Sequence, residues 1–380
     1  MRLLIDATCI VNKPTGAGRY AVQLLTALSR MDRDNEYTIF VQRSLNSDCP
    51  VFALSRAANF HFRRINSPAV GPAKQLAFAW VLGQVHNCRS LIHSLNSELP
   101  LFHSMNGVVT VHDLKYLKYP HYLQGLAWLK ARYLKYIIGR SVGKARKVIT
   151  DSESTKKDLM TDLRVPEEKV RVVHLASALH ETPAPDEKLH AGILAKYNVR
   201  VPFFLFVGEK RRHKNLEGLI EAFAMFKRQG DTWGTTLVAI GPPHSSGSDY
   251  LAMTQRLAVD RFITFIDFVD DEHLGVIYRH AEALVMPSLY EGFGLPILEA
   301  MEHETAVITS NLSSMPEVAG DAALLVNPLD PSDIAEKMRM LMCSPSLGAA
   351  LVAKGRERVR SFSWDKVASE TLRVYQECFH

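Results

Sequence analysis

Short runs of consecutive apolar residues alternate along this chain with longer stretches in which apolar positions recur every three or four residues. The runs lie at Arg2–Ala7, Tyr37–Val41, Ser90–His93, Gly107–Val111, Lys147–Thr150 and Val170–His174. Six more follow at Phe203–Val207, Thr236–Ile240, Ile263–Ile266, Ala283–Met286, Ala306–Thr309 and Ala323–Val326. Such unbroken apolar runs predict strands buried on both faces. Helical spacing runs from Gly16 through Val22, Leu25 and Leu28, and over Ala73–Val85, Ala127–Lys147, Leu216–Arg228, Tyr250–Val259, Asp271–His280, Ser332–Met342 and Ser363–Phe379. Strand–helix alternation of this kind predicts βαβ units on parallel sheets, here as two doubly wound halves. Residues 44–70 carry no clear period. Thr182-Pro-Ala-Pro-Asp186 interrupts both periods and reads as a linker. The expected layout is a first domain over 1–180, a linker over 181–200, a second domain over 201–361 and a last helix over 362–380.

Length changes this picture little, since 380 residues fit two domains. Charge changes it more. Residues 1–180 hold 25 Lys+Arg against 13 Asp+Glu, a balance of +12, and residues 181–380 hold 20 against 27, a balance of −7. The first half is therefore expected to meet something anionic, such as a phospholipid surface or a diphosphate-linked acceptor. Its most basic stretch, Ala127–Lys147, interleaves Trp128, Leu129, Tyr133, Tyr136 and Ile137 with Lys130, Arg132, Lys135, Arg140, Lys144, Arg146 and Lys147. That pattern suits peripheral contact with an anionic membrane. It suits equally an amphipathic helix whose apolar face packs on the core. No nucleic-acid module is recognised. Cys9, Cys49, Cys88, Cys343 and Cys378 are scattered and show no C-x-x-C spacing, which points away from a disulfide framework or structural zinc. No signal peptide is evident, and no apolar run reaches the ~18 residues a spanning helix needs. A cytoplasmic protein, at most peripheral on the inner face of the plasma membrane, is expected.

The candidate chemistry gathers after the strand Ala283–Met286. Gly292-Phe293-Gly294 forms a turn, a helix opens at Leu295, and Pro296 fits the first helical position, where its missing N–H costs nothing. Glycines let the backbone approach a ligand, and the amides of a helix start suit a phosphate. Glu291 precedes the turn and Glu299 lies one turn into the helix. Carboxylates would repel a diphosphate, so these two are expected to accept from sugar and ribose hydroxyls. Two glutamates eight residues apart are common solvated surface. Strand, glycine turn, proline and helix together favour a sugar-nucleotide site. Gly208-Glu-Lys-Arg-Arg-His-Lys-Asn215 also follows a strand and precedes a helix, and its basic residues suit a diphosphate. His112-Asp113 ends a third strand, at the edge where α/β sheets place ligands, although a core histidine is the plain alternative. No third side chain at metal-ligand spacing accompanies the pair. Gly16-Ala-Gly-Arg-Tyr-Ala21 matches the dinucleotide fingerprint literally. Its glycines, however, fall about nine residues past the strand, where the fingerprint needs them at once. A Rossmann oxidoreductase is therefore disfavoured. A simple helix cap explains Arg19 equally well.

Ser288-Leu-Tyr-Glu-Gly-Phe-Gly-Leu-Pro-Ile-Leu-Glu-Ala-Met301 resembles the E-x7-E signature of the retaining nucleotide-sugar glycosyltransferases of family four (glycosyl transferases group 1). Ser310-Asn-Leu-Ser-Ser-Met-Pro-Glu-Val-Ala-Gly-Asp-Ala-Ala-Leu-Leu-Val326 is equally typical of them. The resemblance implies the GT-B fold: two Rossmann-like α/β domains facing a central cleft, with a C-terminal helix crossing back to the first domain. It implies an acceptor-side first domain and a nucleotide-sugar-binding second domain. The donor would be held by Gly16, Gly18, Arg19, Arg212, His213, Lys214, Glu291, Gly292, Phe293, Gly294, Leu295 and Glu299. His112, Glu291 and Lys214 would serve the reaction, without metal or cofactor. His213 departs from the family, where an arginine is usual, and so do Asp267 and His303-Glu304 from smaller residues. The nearest likeness is to bacterial mannosyltransferases of surface polysaccharide synthesis. The implied reaction moves a hexose, with mannose from GDP-mannose the first choice, to a saccharide or lipid-diphosphate-linked acceptor. Two rivals stay open: a non-hydrolysing nucleotide-sugar epimerase, and a non-catalytic sugar-nucleotide-binding relative.

Overall fold

The computed structural model describes residues 1–12, 15–84, 90–102, 106–119, 127–179, 186–230, 234–243 and 249–379; of 127, 128, 130 and 131 it describes the backbone alone. The side chains of Trp128 and Lys130, Cys88, and the Thr182–Pro185 portion of the expected linker lie outside the described residues. The chain folds as two compact units, Met1–Leu175 with Ser363–His380, and Ala176–Phe362.

The first unit is built on seven parallel strands: β1 (Arg2–Asp6), β2 (Glu36–Gln42), β3 (Phe60–Ile65), β4 (Ser90–Ser94), β5 (Asn106–Val111), β6 (Lys147–Thr150) and β7 (Val170–Val172). Their order across the sheet is β3-β2-β1-β4-β5-β6-β7, so the chain winds outward from β1 in both directions. β3 and a 3-10 turn at Pro50–Arg56 fall in the stretch that carries no period. β3 is an edge strand in which His61, Arg63 and Arg64 are exposed, so only its ends, Phe60 and Ile65, are buried. Its hydrophobic signal is correspondingly thin. The central strands are buried apart from the first residues of β1 and β5, Arg2 and Asn106.

Two features lie inside this unit that spacing alone does not show. Lys74, on the helix Pro72–Gln84, is wholly buried and sits 2.7 Å from the Asp6 carboxylate at the end of β1. Thr8 and Ser94 also donate to Asp6, so the buried charge pair is hydrogen-bonded on every side. The closing helix Trp364–Phe379 lies against the first helix, Gly16–Met31. It buries Val367, Val374 and Tyr375 in this unit.

The second unit carries six parallel strands: β8 (Phe203–Val207), β9 (Thr236–Ile240), β10 (Ile263–Ile266), β11 (Ala283–Met286), β12 (Ala306–Ser310) and β13 (Leu324–Val326). They lie in the order β10-β9-β8-β11-β12-β13, again winding out from a central pair. The core beneath them joins Phe204 and Phe206 to Leu219, Phe223 and Phe226 of the helix Leu216–Arg228. The stretch 181–200, read as linker, holds a helix at Glu187–Lys196 in this unit. Asp186 caps its first amides. A second helix, Pro345–Val359, fills the sequence before the closing helix.

Candidate active site residues on each unit

In the second unit the chemistry sits where strands end. β8 runs into Gly208, and the next residues curl through a 3-10 turn at Arg212–Lys214. Asn215 then takes the left-handed conformation, with φ of 57°, and caps the helix Leu216–Arg228 by accepting from the Gly218 amide. Its amide nitrogen donates to the carbonyls of Pro287, after β11, and Pro328, after β13. One side chain therefore ties three strand ends together. Gly241 packs this loop from the other side, and a Cβ there would fall 2.1 Å from the Gly208 carbonyl oxygen. Only glycine fits.

The turn holds Lys214 with its stem over Gly208 and its Nζ 2.6 Å from Glu291 Oε1. Ser288 donates to the same oxygen at 2.7 Å. Both charged side chains keep a small exposed fraction, 17% for Lys214 and 11% for Glu291. The backbone of the glycine turn is clamped by Ser313 and Ser314. Their hydroxyls donate to the Glu291 carbonyl at 2.7 and 3.0 Å, and Ser314 also reaches the Phe293 carbonyl. Gly294, at φ of 104°, opens the helix Leu295–Glu302, whose start has no side-chain cap. Pro296 is its second residue, where a missing N–H is tolerated equally. Gly292, Phe293 and Gly294 are buried, and Leu295 is half-buried.

Glu299 does not join Lys214 and Glu291. It is nearly buried, and Tyr278 donates to its Oε2 at 2.9 Å. His303 stacks on the Tyr278 ring with 5.8 Å between centroids, and its Nδ1 meets the Glu299 carbonyl. Burial lowers the His303 pKa. The basic loop divides as well. Lys210 is buried and held by Asp267 at 3.0 Å, Arg211 is paired with Glu209 at 2.7 Å, and His213 is buried under the chain. Arg212 is exposed, with no carboxylate partner among the described residues. Lys210, Arg211 and Lys214 are thus each paired with a carboxylate, and the partner of Lys214, Glu291, borders the glycine turn.

In the first unit, Thr15 caps the helix Gly16–Met31 by accepting from the Gly18 amide at 3.1 Å. Gly18 packs so closely on the Cys9 carbonyl that a Cβ would sit 3.3 Å from it, whereas Gly16 is exposed with open space around it. Arg19 is half-buried in the same turn. One residue further, Tyr20 is buried, and its ring meets His112 edge-on at 4.7 Å.

His112 follows β5, and Asp151 follows β6. These strands pair in register, Val111 beside Thr150, so the next two residues fall side by side. The His112 Nδ1 lies 2.8 Å from Asp151 Oδ2, and its Nε2 lies 3.3 Å from the Leu95 carbonyl. Burial works against a charge on this ring, but the neighbouring Asp151 carboxylate outweighs it and holds the His112 pKa above its ordinary value. Burial likewise raises Asp151. Asp113 is occupied by Lys115 at 2.9 Å, so it is not the partner of His112. The helix Glu153–Leu163 is capped by Ser152, whose hydroxyl accepts from the Thr155 amide, and this leaves the Asp151 carboxylate to His112. The strand register is the signal that finds it.

With these groups placed, comparison with known proteins is decisive. Residues 14–176 match the family model of Glycosyltransferase Family 4, and residues 195–358 match that of Glycosyl transferases group 1. The chain is a glycosyltransferase of this family. It is 28% identical to the O-antigen chain mannosyltransferase B of Escherichia coli, over 98% of this chain and 99% of that one. It is 28% identical to the O-antigen chain mannosyltransferase RfbU of Salmonella typhimurium, over 64% and 62%. Among solved structures, sucrose-phosphate synthase from Thermosynechococcus elongatus superposes with a TM-score of 0.74 at 21% identity, covering 100% of this chain and 99% of that one. WaaG, a glycosyltransferase involved in lipopolysaccharide biosynthesis, superposes at 0.73 and 16%, covering 98% and 99%. The two parallel-sheet units of this glycosyltransferase are those of the GT-B fold.

Proposed function

We propose that this glycosyltransferase transfers mannose from GDP-mannose, with retention of the anomeric configuration and without metal, to a saccharide or lipid-diphosphate-linked acceptor in surface polysaccharide synthesis. The observation that carries the reading is the Lys214–Glu291 contact of 2.6 Å. A sugar nucleotide presents hydroxyls and a diphosphate on adjacent atoms, and such a ligand needs a carboxylate acceptor beside a cation. Lys214, Arg212 and the uncapped helix start after Gly294 stabilise the departing diphosphate. Glu291 orients the sugar, and Glu299, positioned by Tyr278, accepts from the ribose. Gly292, Phe293, Gly294 and Leu295 line the donor, with His213 beneath the turn. On the first unit, Gly16, Gly18 and Arg19 belong to the phosphates, and His112 to the reacting sugar. The acceptor's proton passes to the departing phosphate oxygen. The likeness to O-antigen mannosyltransferases supports the choice of mannose.

The test is a donor screen with GDP-, UDP-, ADP- and dTDP-sugars, following release of nucleotide diphosphate in the presence of EDTA. GDP release from GDP-mannose that requires an acceptor, and an α-linked product by NMR, is expected. Release without acceptor, or epimerised donor, would favour the epimerase reading. Binding with no turnover on any acceptor would favour a sugar-nucleotide-binding relative.

The same reading includes peripheral contact with the cytoplasmic face of an anionic membrane. Helices Pro72–Gln84 and Ala127–Lys144 contain no acidic residue. The first exposes Leu76 and Trp80, one turn apart, and its one cation, Lys74, is buried. The second exposes Leu129 and Tyr136 among Arg132, Lys135, Arg140 and Lys144. No helix among the described residues is long and apolar enough to cross a membrane. Apolar anchors set beside cations suit anionic headgroups. Co-sedimentation with phosphatidylglycerol vesicles, but not with phosphatidylcholine ones, is expected, weakened in Trp80→Ala. Binding to neither, or equal binding to both, would remove the anionic membrane from the reading.

A further inference from the structure

The contacts of His112 specify its protonation state, and with it the kind of help it can give. Its Nδ1 faces a carboxylate oxygen at 2.8 Å, and its Nε2 faces a backbone carbonyl at 3.3 Å. Both partners can only accept. A neutral imidazole has one N–H, so it would leave one ring lone pair pointing at an oxygen lone pair. Two protons satisfy both contacts. Placing the shared proton on Asp151 would satisfy them too, but a histidine is the stronger base by far. The second oxygen of Asp151, Oδ1, is buried with no hydrogen-bond donor among the described residues. That carboxylate depends on the His112 charge as its counterion.

We infer that His112 is a resident imidazolium, fixed by Asp151 as its positioning residue, which lends its Nε2–H to an oxygen of the bound substrate and cannot act as a general base. The inference rests on the transferase reading only for the identity of that oxygen. The ring is 18% exposed, and its Nε2 contact to Leu95 is the longer and weaker of the two. Nε2–H is therefore the proton a ligand can claim, and the acceptor's proton must go elsewhere. The other groups around the ring agree with this state. Asp113 adds a negative charge, partly spent on Lys115, and His174 bears on Asp151. Tyr20 contributes a ring edge, with its hydroxyl directed to Thr110. Buried His93, kept neutral, has its pKa pushed down to about 3 by burial and by the charge on His112.

The linkage has a definite sign. His112 is held above its ordinary pKa, so its charge is complete at acid pH and is lost as pH rises through the folded value. The measurement is the NMR of protein carrying ¹⁵N-histidine, with His112→Gln identifying the signal by its disappearance. At pH 7.5 both His112 nitrogens should show imidazolium shifts, and Asp151→Asn should return the ring to the neutral form. Kinetically, kcat/KM should fall on the alkaline side, and this limb should move to lower pH in Asp151→Asn. His112→Ala should lose about 10²- to 10³-fold, the usual effect of deleting one preorganised donor, and His112→Gln, which keeps an N–H donor, should recover part of it. A neutral ring in the wild type at pH 7.5, or activity lost as pH falls through the His112 titration, would overturn the inference. The NMR outcome decides the protonation state even if no transfer is found, so failure here and failure of the transferase reading are told apart.

Discussion

At the scale of single residues, Lys214 and Glu291 are each other's counterion before any donor arrives. A ligand diphosphate must share Lys214 with Glu291, and the sugar must draw on the same carboxylate. The pair is mostly buried, so neither charge is replaced cheaply by water. Lys214→Ala should therefore act twice. It leaves Glu291 with Ser288 alone on Oε1, costing about 1–3 kcal/mol of stability. It also removes a charge-assisted bond to the donor, which should weaken nucleotide-diphosphate affinity by roughly 10- to 100-fold. Calorimetry against GDP, with thermal melts on the same variant, separates the two effects. Undiminished donor binding would place Lys214 outside the donor site. The residue types of this site are legible in the sequence because each follows a strand. The partners are not. Nothing in the spacing shows that Lys210 is spent on Asp267, that Tyr278 holds Glu299, or that Asp151 belongs to His112. Those pairings join residues whose proximity is set by strand order, which periodicity does not encode.

At the scale of elements, strands buried on both faces read most clearly, among them Ala283–Met286 and Ala306–Ser310. The elements that escape are those whose burial is partial. β3 is an edge strand with His61, Arg63 and Arg64 in solvent. The helix Glu187–Lys196 exposes Leu189 and buries only His190, Ile193 and Leu194, so its stripe is too narrow to stand out beside a proline-rich stretch. The closing helix is legible as a helix, but its role depends on one contact. Tyr375, wholly buried, brings its hydroxyl to 2.7 Å from His93 Nδ1, while His93 Nε2 lies 2.8 Å from Thr110. Thr110 in turn meets the Tyr20 hydroxyl at 3.2 Å, and Tyr20 carries the ring that flanks His112. Tyr375→Phe removes one hydroxyl and leaves a buried ring nitrogen without a partner. A loss of about 1–3 kcal/mol is expected, read as a lower melting temperature of the first unit. An unchanged melt would mean that the closing helix is held by its apolar face alone, through Val367 and Val374.

At the scale of the whole molecule, the histidines buried without charge make folding sensitive to acid. Burial, aided by the charge on His112, pushes His93 down to about 3. His280 is lowered by burial and by His190, whose Nδ1 lies 3.1 Å from its Nε2, and His303 is lowered by burial. Each group is depressed in the folded chain, so the unfolded chain binds its proton first as pH falls below the ordinary histidine value of about 6.5. Their contribution to stability is thus complete at neutral pH. It declines by about 1.4 kcal/mol per pH unit for every proton the unfolded chain holds and the folded chain does not. His112 works in the opposite sense and in a different window: its contribution is complete below about 6.5 and is lost as pH rises through its raised folded value, so it does not offset the acid-side loss. Both units carry depressed histidines, His93 in the first and His280 and His303 in the second. Acid should therefore weaken both within the same pH range. Urea melts taken at steps from pH 7.5 to 5 should show the midpoint falling once pH drops below about 6.5. His280→Asn, which removes one of the titrating rings, should flatten the decline. A midpoint that holds constant to pH 5 would mean that water reaches these rings in the folded chain and lets them protonate where they stand.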